Sequence, residues 1–300
     1  MMIRQCSSPL SSGSILHTLF AAVFSVLITV GAHPVVAADG DLDTTFGTGG
    51  KVTTAILSQD DFASEVAIQS DGKIVVAGYT KNGSATQFAL ARYNTDGTLD
   101  DDFDTDGKVF TEVGTDKAYG TSVAIQPDGK IVVAGYFLAA NGVNADIALV
   151  RYNADGSLDI NFGSGGKVTT DIDGGTGADY AYSVALQSDG KIVAAGSSSV
   201  GNNIDFALVR YDKNGNLDTD FGTGGKVTTP ILSGNDAAYS VAIQPDGKIV
   251  AAGETKNGLE TQFALARYNT DGTLDDDFDT DGKVSTTVGS SRDYAYSVAL

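Results

Sequence analysis

Two acidic loops hold the side chains best suited to chemistry. Asp102, Asp104 and Asp106 precede Gly107, and Asp277, Asp279 and Asp281 precede Gly282, each in a D-x-D-x-D-G spacing. Alternate carboxylates on a tight turn can converge on one hard cation while the glycine permits the bend, so these aspartates are candidate calcium ligands. Like charges about 4 Å apart repel by about 1 kcal/mol even in water, a cost that a bound ion would offset. A helix-loop-helix calcium site would add a carboxylate at the twelfth position, where this chain has Val113 or Val288, and the ninth position holds Phe110 or Ser285. Solvated acidic turns are the competing reading, and no cofactor beyond calcium is expected.

Other constellations read as structural. Arg92, Arg151, Arg210 and Arg267 each precede a tyrosine, and Asp100, Asp159, Asp218 or Asp275 follows eight residues later. An arginine-carboxylate pair can grip an anion, but four copies of one pair read as a salt bridge inside each repeat, because one active site needs one constellation. The GTGGK runs at Gly47 and Gly222 lack the hydroxyl residue and the following helix of a phosphate loop. Glu65, Glu254 and Glu260 break the repeat pattern, and a pair of carboxylates is what glycoside hydrolysis requires. Exposed strand and loop charge is the simpler account of these three.

Composition removes whole reaction classes. Arg4, the apolar run from Ile15 to Ala32 and the small residues Val36, Ala37 and Ala38 have the layout of a secretory signal peptide over residues 1–38. His17, His33, Cys6 and both methionines lie inside it, so the mature chain would hold no His, Cys, Met or Trp. That excludes Ser-His-Asp and Cys-His catalysis and any His/Cys metal site, and it leaves no membrane span in the mature chain. The formal charge of −19 makes nucleic acid an unsuitable partner. Of 38 acidic residues only Glu65, Glu112, Glu254 and Glu260 are glutamate; aspartate shapes turns, whereas glutamate favours helices.

The elements that must position these side chains come from a repeat. VAIQSDGKIVVAG at Val66 returns at Val123, Val184 and Val241 and begins again at Val298, spacings of 57 or 61 residues. FALARYNTDGTLDDDF at Phe88 and GKVTT-like strings from Gly50 onward recur in fixed order between them. Each unit predicts four short strands, in the first copy over 66–69, 73–79, 88–93 and 108–113, with a long loop over 94–107. The run from Ile74 to Ala77 suits burial on both faces, and Ala77-Gly78 would let neighbouring sheets approach. Proline replaces serine before Asp-Gly at Pro127 and Pro245, which excludes a positive φ there and predicts a type I turn with a left-handed glycine bulge. Hairpins make antiparallel sheets, and helix-free four-stranded units in series make an all-β propeller of four-stranded antiparallel blades. Four complete blades with partial units at both ends are expected over 39–300, an incomplete propeller from a truncated chain with exposed edges.

The strings AIQPDGKIVVAG, FALARYN-x-DG-x-LD and FGTGGKVTT resemble the delta-60 repeat family, a bacterial repeat classed as a β-propeller domain of unknown function. The resemblance implies an exported bacterial propeller and carries no catalytic residue. Residues 80–109 and 255–284 differ only at Ser84/Leu259 and Ala85/Glu260, which leaves little room for specialised catalysis in a blade. The reading that follows is a secreted or cell-surface, non-catalytic binding or adhesion scaffold, not an enzyme, whose partner is a protein or a glycan. The alternatives are a carboxylate-dependent glycoside hydrolase acting on extracellular polysaccharide, or a structural spacer in a larger surface protein.

Overall fold

The computed structural model describes residues 40–114, 116–138, 144–175, 177–201, 203–289 and 292–300. The signal peptide expected over 1–38 lies outside the described residues. Among the described residues no helix is long and apolar enough to cross a membrane.

Four antiparallel four-stranded units follow one another. The first holds β1 (Asp61–Ile68), β2 (Ile74–Asn82), β3 (Ala85–Tyr93) and β4 (Lys108–Thr111); the second β5 (Lys117–Ile125), β6 (Ile131–Leu138), β7 (Ala145–Tyr152) and β8 (Lys167–Thr170). The third holds β9 (Asp179–Leu186), β10 (Ile192–Val200), β11 (Asn203–Tyr211) and β12 (Lys226–Thr229); the fourth β13 (Asp236–Ile243), β14 (Ile249–Asn257), β15 (Glu260–Tyr268) and β16 (Lys283–Thr286). Within each unit consecutive strands pair, and one parallel bridge, Thr86 with Lys117, joins the first two sheets. The first strands of successive units pack on one another, which makes β1, β5, β9 and β13 the inner strands of propeller blades. The strand pairings close no ring among the described residues.

The turn between the first two strands is the expected one. Gly72 N–H donates to the Gln69 carbonyl at 2.9 Å, and Gly72, Gly129, Gly190 and Gly247 have φ of 83 to 86°. The inner strand starts earlier than its hydrophobic pattern suggests. A bulge leaves Ser64 unpaired between Ala63 and Glu65, as it does Thr121, Tyr182 and Tyr239 in later blades. Beyond it Asp61 to Ala63 still pair with Thr80 to Gly78, so the strand continues where simple alternation stops. The bulge also explains the glycine of the A-G dipeptide: a Cβ on Gly78 would lie 1.9 Å from the Phe62 carbonyl oxygen, and on Gly135, Gly196 or Gly253 equally close to its counterpart. The close approach that glycine permits is thus chiefly inside the sheet, with a second between sheets, where Gly120 faces the Gly78 carbonyl.

The cores lie between blades. Ile131 and Val133 on β6 pack toward the first blade, and Val132 and Ala134 toward the third. Alternate residues of one strand therefore serve two interfaces, as the continuous apolar run requires. The loop over 94–107 is a clasp: Asp104 N–H donates to Asp155 of the next blade at 2.6 Å. Buried hydroxyls add a latch, with Tyr152 bonded to Thr111 and Tyr211 to Thr170, each at 2.7 Å.

Candidate functional site

Around the inner strands runs a band of aromatic rings. On the bulged strand the residue paired with β2 or its equivalent is Phe62, Tyr119, Tyr180 or Ala237, facing Tyr79, Tyr136, Ser197 and Glu254 respectively. The bulge residues Tyr182 and Tyr239 turn onto the same band, as a bulge re-aims a side chain. Phe62 stacks on Tyr79 at 4.8 Å and Tyr119 on Tyr136 at 5.1 Å, while Tyr79–Tyr119 and Tyr136–Tyr180 meet edge to face at 4.9 and 4.7 Å. Tyr180–Tyr182, Tyr182–Tyr239 and Tyr239–Tyr296 continue it at 6.0, 5.4 and 5.4 Å. These are favourable aromatic pair geometries. Phe62 and Tyr296 are exposed and the other rings half-buried, so the band presents both ring faces and hydroxyls.

Glu254 occupies the place where earlier blades carry Tyr79, Tyr136 and Ser197. Tyr239 Oη donates to Glu254 Oε1 at 2.9 Å, and Glu254 Oε2 is buried with no hydrogen-bond partner. Burial, reinforced by the Glu254 carboxylate, pushes the Tyr239 phenol up. Tyr239 is thus a neutral donor that fixes one carboxylate oxygen and leaves the other buried without a partner. Burial also pushes the Tyr136 phenol up to about 12, so its hydroxyl stays a donor.

The glutamates were expected to be exposed charges, and Glu254 is not one. Glu65 is exposed, and its Oε2 accepts from Val123 N–H of the next blade at 2.7 Å. Ser122 and Ser183 accept the same bond from Val184 and Val241, so Glu65 plays a joining role; Glu260 lies exposed at the start of β15. Simple strand alternation does not predict the band. Its signal was the tyrosines of the DYAYSV-type strings, placed just before the repeat motif and out of strand alternation because of the bulge.

The acidic loops are exposed turns. Asp102, Asp104, Asp106, Asp277, Asp279 and Asp281 are all exposed. Asp106 accepts from Lys108 N–H and pairs with its Nζ at 3.1 Å; Asp281 does the same with Lys283 at 3.4 Å. Asp104 and Asp279 adopt φ of 57 and 51°. Among the described residues, Asp146, Asp171 and Asp179 form a group of three carboxylates with oxygens all within 4.8 Å of one another. The GTGGK runs form turns, with Gly222 N–H donating to Asp271 of the next blade at 2.8 Å.

The repeated arginines do more than close a bridge inside each blade. Arg151 Nε donates to Asp159 Oδ2 at 2.8 Å, its guanidinium lies 4.3 Å from the centre of the Phe162 ring, and Nη1 reaches the Lys213 carbonyl of the next blade at 2.5 Å. Lys130 adds a second cation to Asp159 at 2.8 Å. Burial opposes ionisation of Asp159, but Lys130 and Arg151 outweigh it and hold the carboxyl below the usual range.

Four segments, residues 69–103, 126–162, 187–221 and 244–278, match a family described as "Domain of unknown function (DUF5122) beta-propeller". No curated protein matches. Among solved structures the chain resembles a PL25 ulvan lyase, a polysaccharide lyase, with 10% identity over 70% of this chain and 54% of that one and a TM-score of 0.48. It thus spans about half of the lyase. It also resembles an endo-arabinase from Bacteroides thetaiotaomicron VPI-5482, with 13% identity over 74% of this chain and 80% of that one and a TM-score of 0.42. A third likeness is to a GH43 endo-arabinanase from Bacillus licheniformis, with 14% identity over 70% and 74% of the two chains and a TM-score of 0.38. The propeller fold rests on the family match and on the antiparallel four-stranded units described above. These neighbours are carbohydrate-active enzymes, which runs against the expected non-catalytic binding or adhesion scaffold and lends no support to the expected absence of enzymatic activity.

Proposed function

We propose that this protein is an exported, carbohydrate-active propeller of the delta-60 repeat type that cleaves extracellular polysaccharide by a carboxylate-dependent mechanism. Glu254 is the catalytic carboxylate, Tyr239 its positioning residue, and the aromatic band the platform on which sugar rings lie. The observation that carries this reading is the Glu254–Tyr239 bond of 2.9 Å within a continuous run of rings, with the second carboxylate oxygen buried and without a hydrogen-bond partner. Flat ring faces receive the apolar faces of sugars while the phenol hydroxyls and the carboxylate receive their hydroxyl groups. Glycoside hydrolysis uses a pair of carboxyl groups; Glu254 supplies one of them, held in place by the Tyr239 hydroxyl. Export rests on the leader read over residues 1–38.

The test is release of reducing ends, with absorbance of unsaturated ends read in parallel, from a panel of purified extracellular polysaccharides. The full chain is expected to release ends, Glu254→Gln to lose about 100-fold or more, and Glu260→Gln to match the wild type. Silence across the panel, or a Glu254→Gln protein as active as the parent, overturns the proposal.

A further inference from the structure

We propose that the junction between the second and third blades binds a calcium ion on Asp146, Asp171 and Asp179. The three come from separate elements: β7, the turn after β8, and the first residue of β9. One oxygen of each lies within 4.8 Å of the others. Calcium takes oxygen ligands at about 2.3–2.6 Å, so ligands on opposite sides of one ion stand about 5 Å apart, and the cluster has the right span.

Independent observations point to a ligand. Asp179 is fully buried, and its Oδ1 has no hydrogen-bond partner; Oδ2 accepts from Ile172 N–H at 2.6 Å. Ser198 stands across the strand pair beside this carboxyl, yet its Oγ makes no bond of acceptable geometry either. An orphaned carboxylate oxygen in the interior is costly unless a cation or a proton meets it.

The charge is also uncompensated. Asp100, Asp159 and Asp275 are buried too, but each has an arginine and a lysine at 2.5 to 2.8 Å. Among the described residues no lysine or arginine nitrogen comes within 4.0 Å of the Asp146, Asp171 or Asp179 carboxylates. The nearby Lys226 donates to the backbone carbonyl of Asp171 at 2.6 Å. Burial first, and then the charges of Asp171 and Asp173, push the carboxyl of Asp146 up, and the same causes raise Asp179. The arrangement is specific to this junction: the first one has Gln87, Glu112 and Ala118, and Pro230 or Thr287 replaces Asp171 at the later ones. At the first junction Gln87 donates to Glu112 at 2.9 Å, a pairing that needs no ion.

The experiment is thermal unfolding and calorimetry of the chelator-treated full chain with and without calcium chloride. Calcium is expected to raise the melting temperature of the wild type, to leave Asp146→Asn/Asp171→Asn unmoved, and to raise Asp277→Asn/Asp279→Asn as it does the wild type. The single variant Asp171→Asn, at a half-buried turn position, is expected to lose at least about tenfold in calorimetric affinity and serves if the double variant fails to fold. No calcium response in the wild type overturns the proposal, as does an undiminished response in Asp171→Asn. A response abolished only in Asp277→Asn/Asp279→Asn also overturns it, because it moves the ion to the acidic loops.

Discussion

Asp236 is buried at the start of β13, where burial and the neighbouring Asp205 raise its pKa to about 6, against the bond from Ile231 N–H. A carboxyl whose folded pKa exceeds its unfolded value holds its proton better when folded, so stability present below about pH 4 is lost as pH rises through about 6. Asp236→Asn removes the ionisation while keeping an acceptor for Ile231 N–H. It is expected to raise stability at pH 7.5 by on the order of 2 kcal/mol and to change little at pH 3.5, measured by urea unfolding at both pH values. A gain equal at both pH values would show packing and not ionisation at work. The paired aspartates behave oppositely: Asp100, Asp159 and Asp218 are held below the usual range by Lys and Arg partners against the effect of burial, and what they contribute is lost as pH falls. Residue types alone separate these two groups poorly. The Arg-x₇-Asp spacing marked the paired set, whereas nothing in the local sequence marks Asp205 and Asp236 as neighbours, because 31 positions separate them and only the blade junction brings them together.

At the scale of the element, the hairpin turns were the most legible feature and the inner strands the least. Proline at Pro127 fixed the turn type before Asp-Gly, and Gly129 does adopt φ of 83°. Gly129→Val is expected to cost more than about 1 kcal/mol in chemical denaturation, since a β-branched side chain is strained at positive φ; tolerance would mean that the turn rearranges. Gly135 is a different case, because its φ is ordinary and its constraint is the Tyr119 carbonyl at 1.9 Å from any added Cβ. Gly135→Ala must open the bulge opposite it, so it should destabilise and also disturb the Tyr119–Tyr136 stack, which near-ultraviolet circular dichroism of the tyrosines would report. The bulge is why the band went unread: it inserts one residue into a period of two, so the tyrosines that share a face are not at alternating positions. The expected first strand accordingly began at Val66, whereas β1 begins at Asp61.

Across the whole molecule, no blade owns a core. The three apolar clusters each draw on two successive blades, and the strongest polar links, such as Arg151 to Asp159 and on to the Lys213 carbonyl, cross the same interfaces. Stability in such an array is a sum of small intrinsic terms and large nearest-neighbour ones, so a blade separated from its neighbours loses most of what holds it. Urea unfolding of the full chain should therefore be one transition, with far-ultraviolet circular dichroism and tyrosine fluorescence coincident. Arg151→Leu strands Asp159 beside Lys130 alone and removes both the Phe162 contact and the bond to the third blade. It is expected to lower stability by about 3–5 kcal/mol while the transition stays single, because the apolar interface between the second and third blades remains. Two separated transitions in Arg151→Leu would mean that the polar link, and not the shared apolar core, carries the coupling from blade to blade.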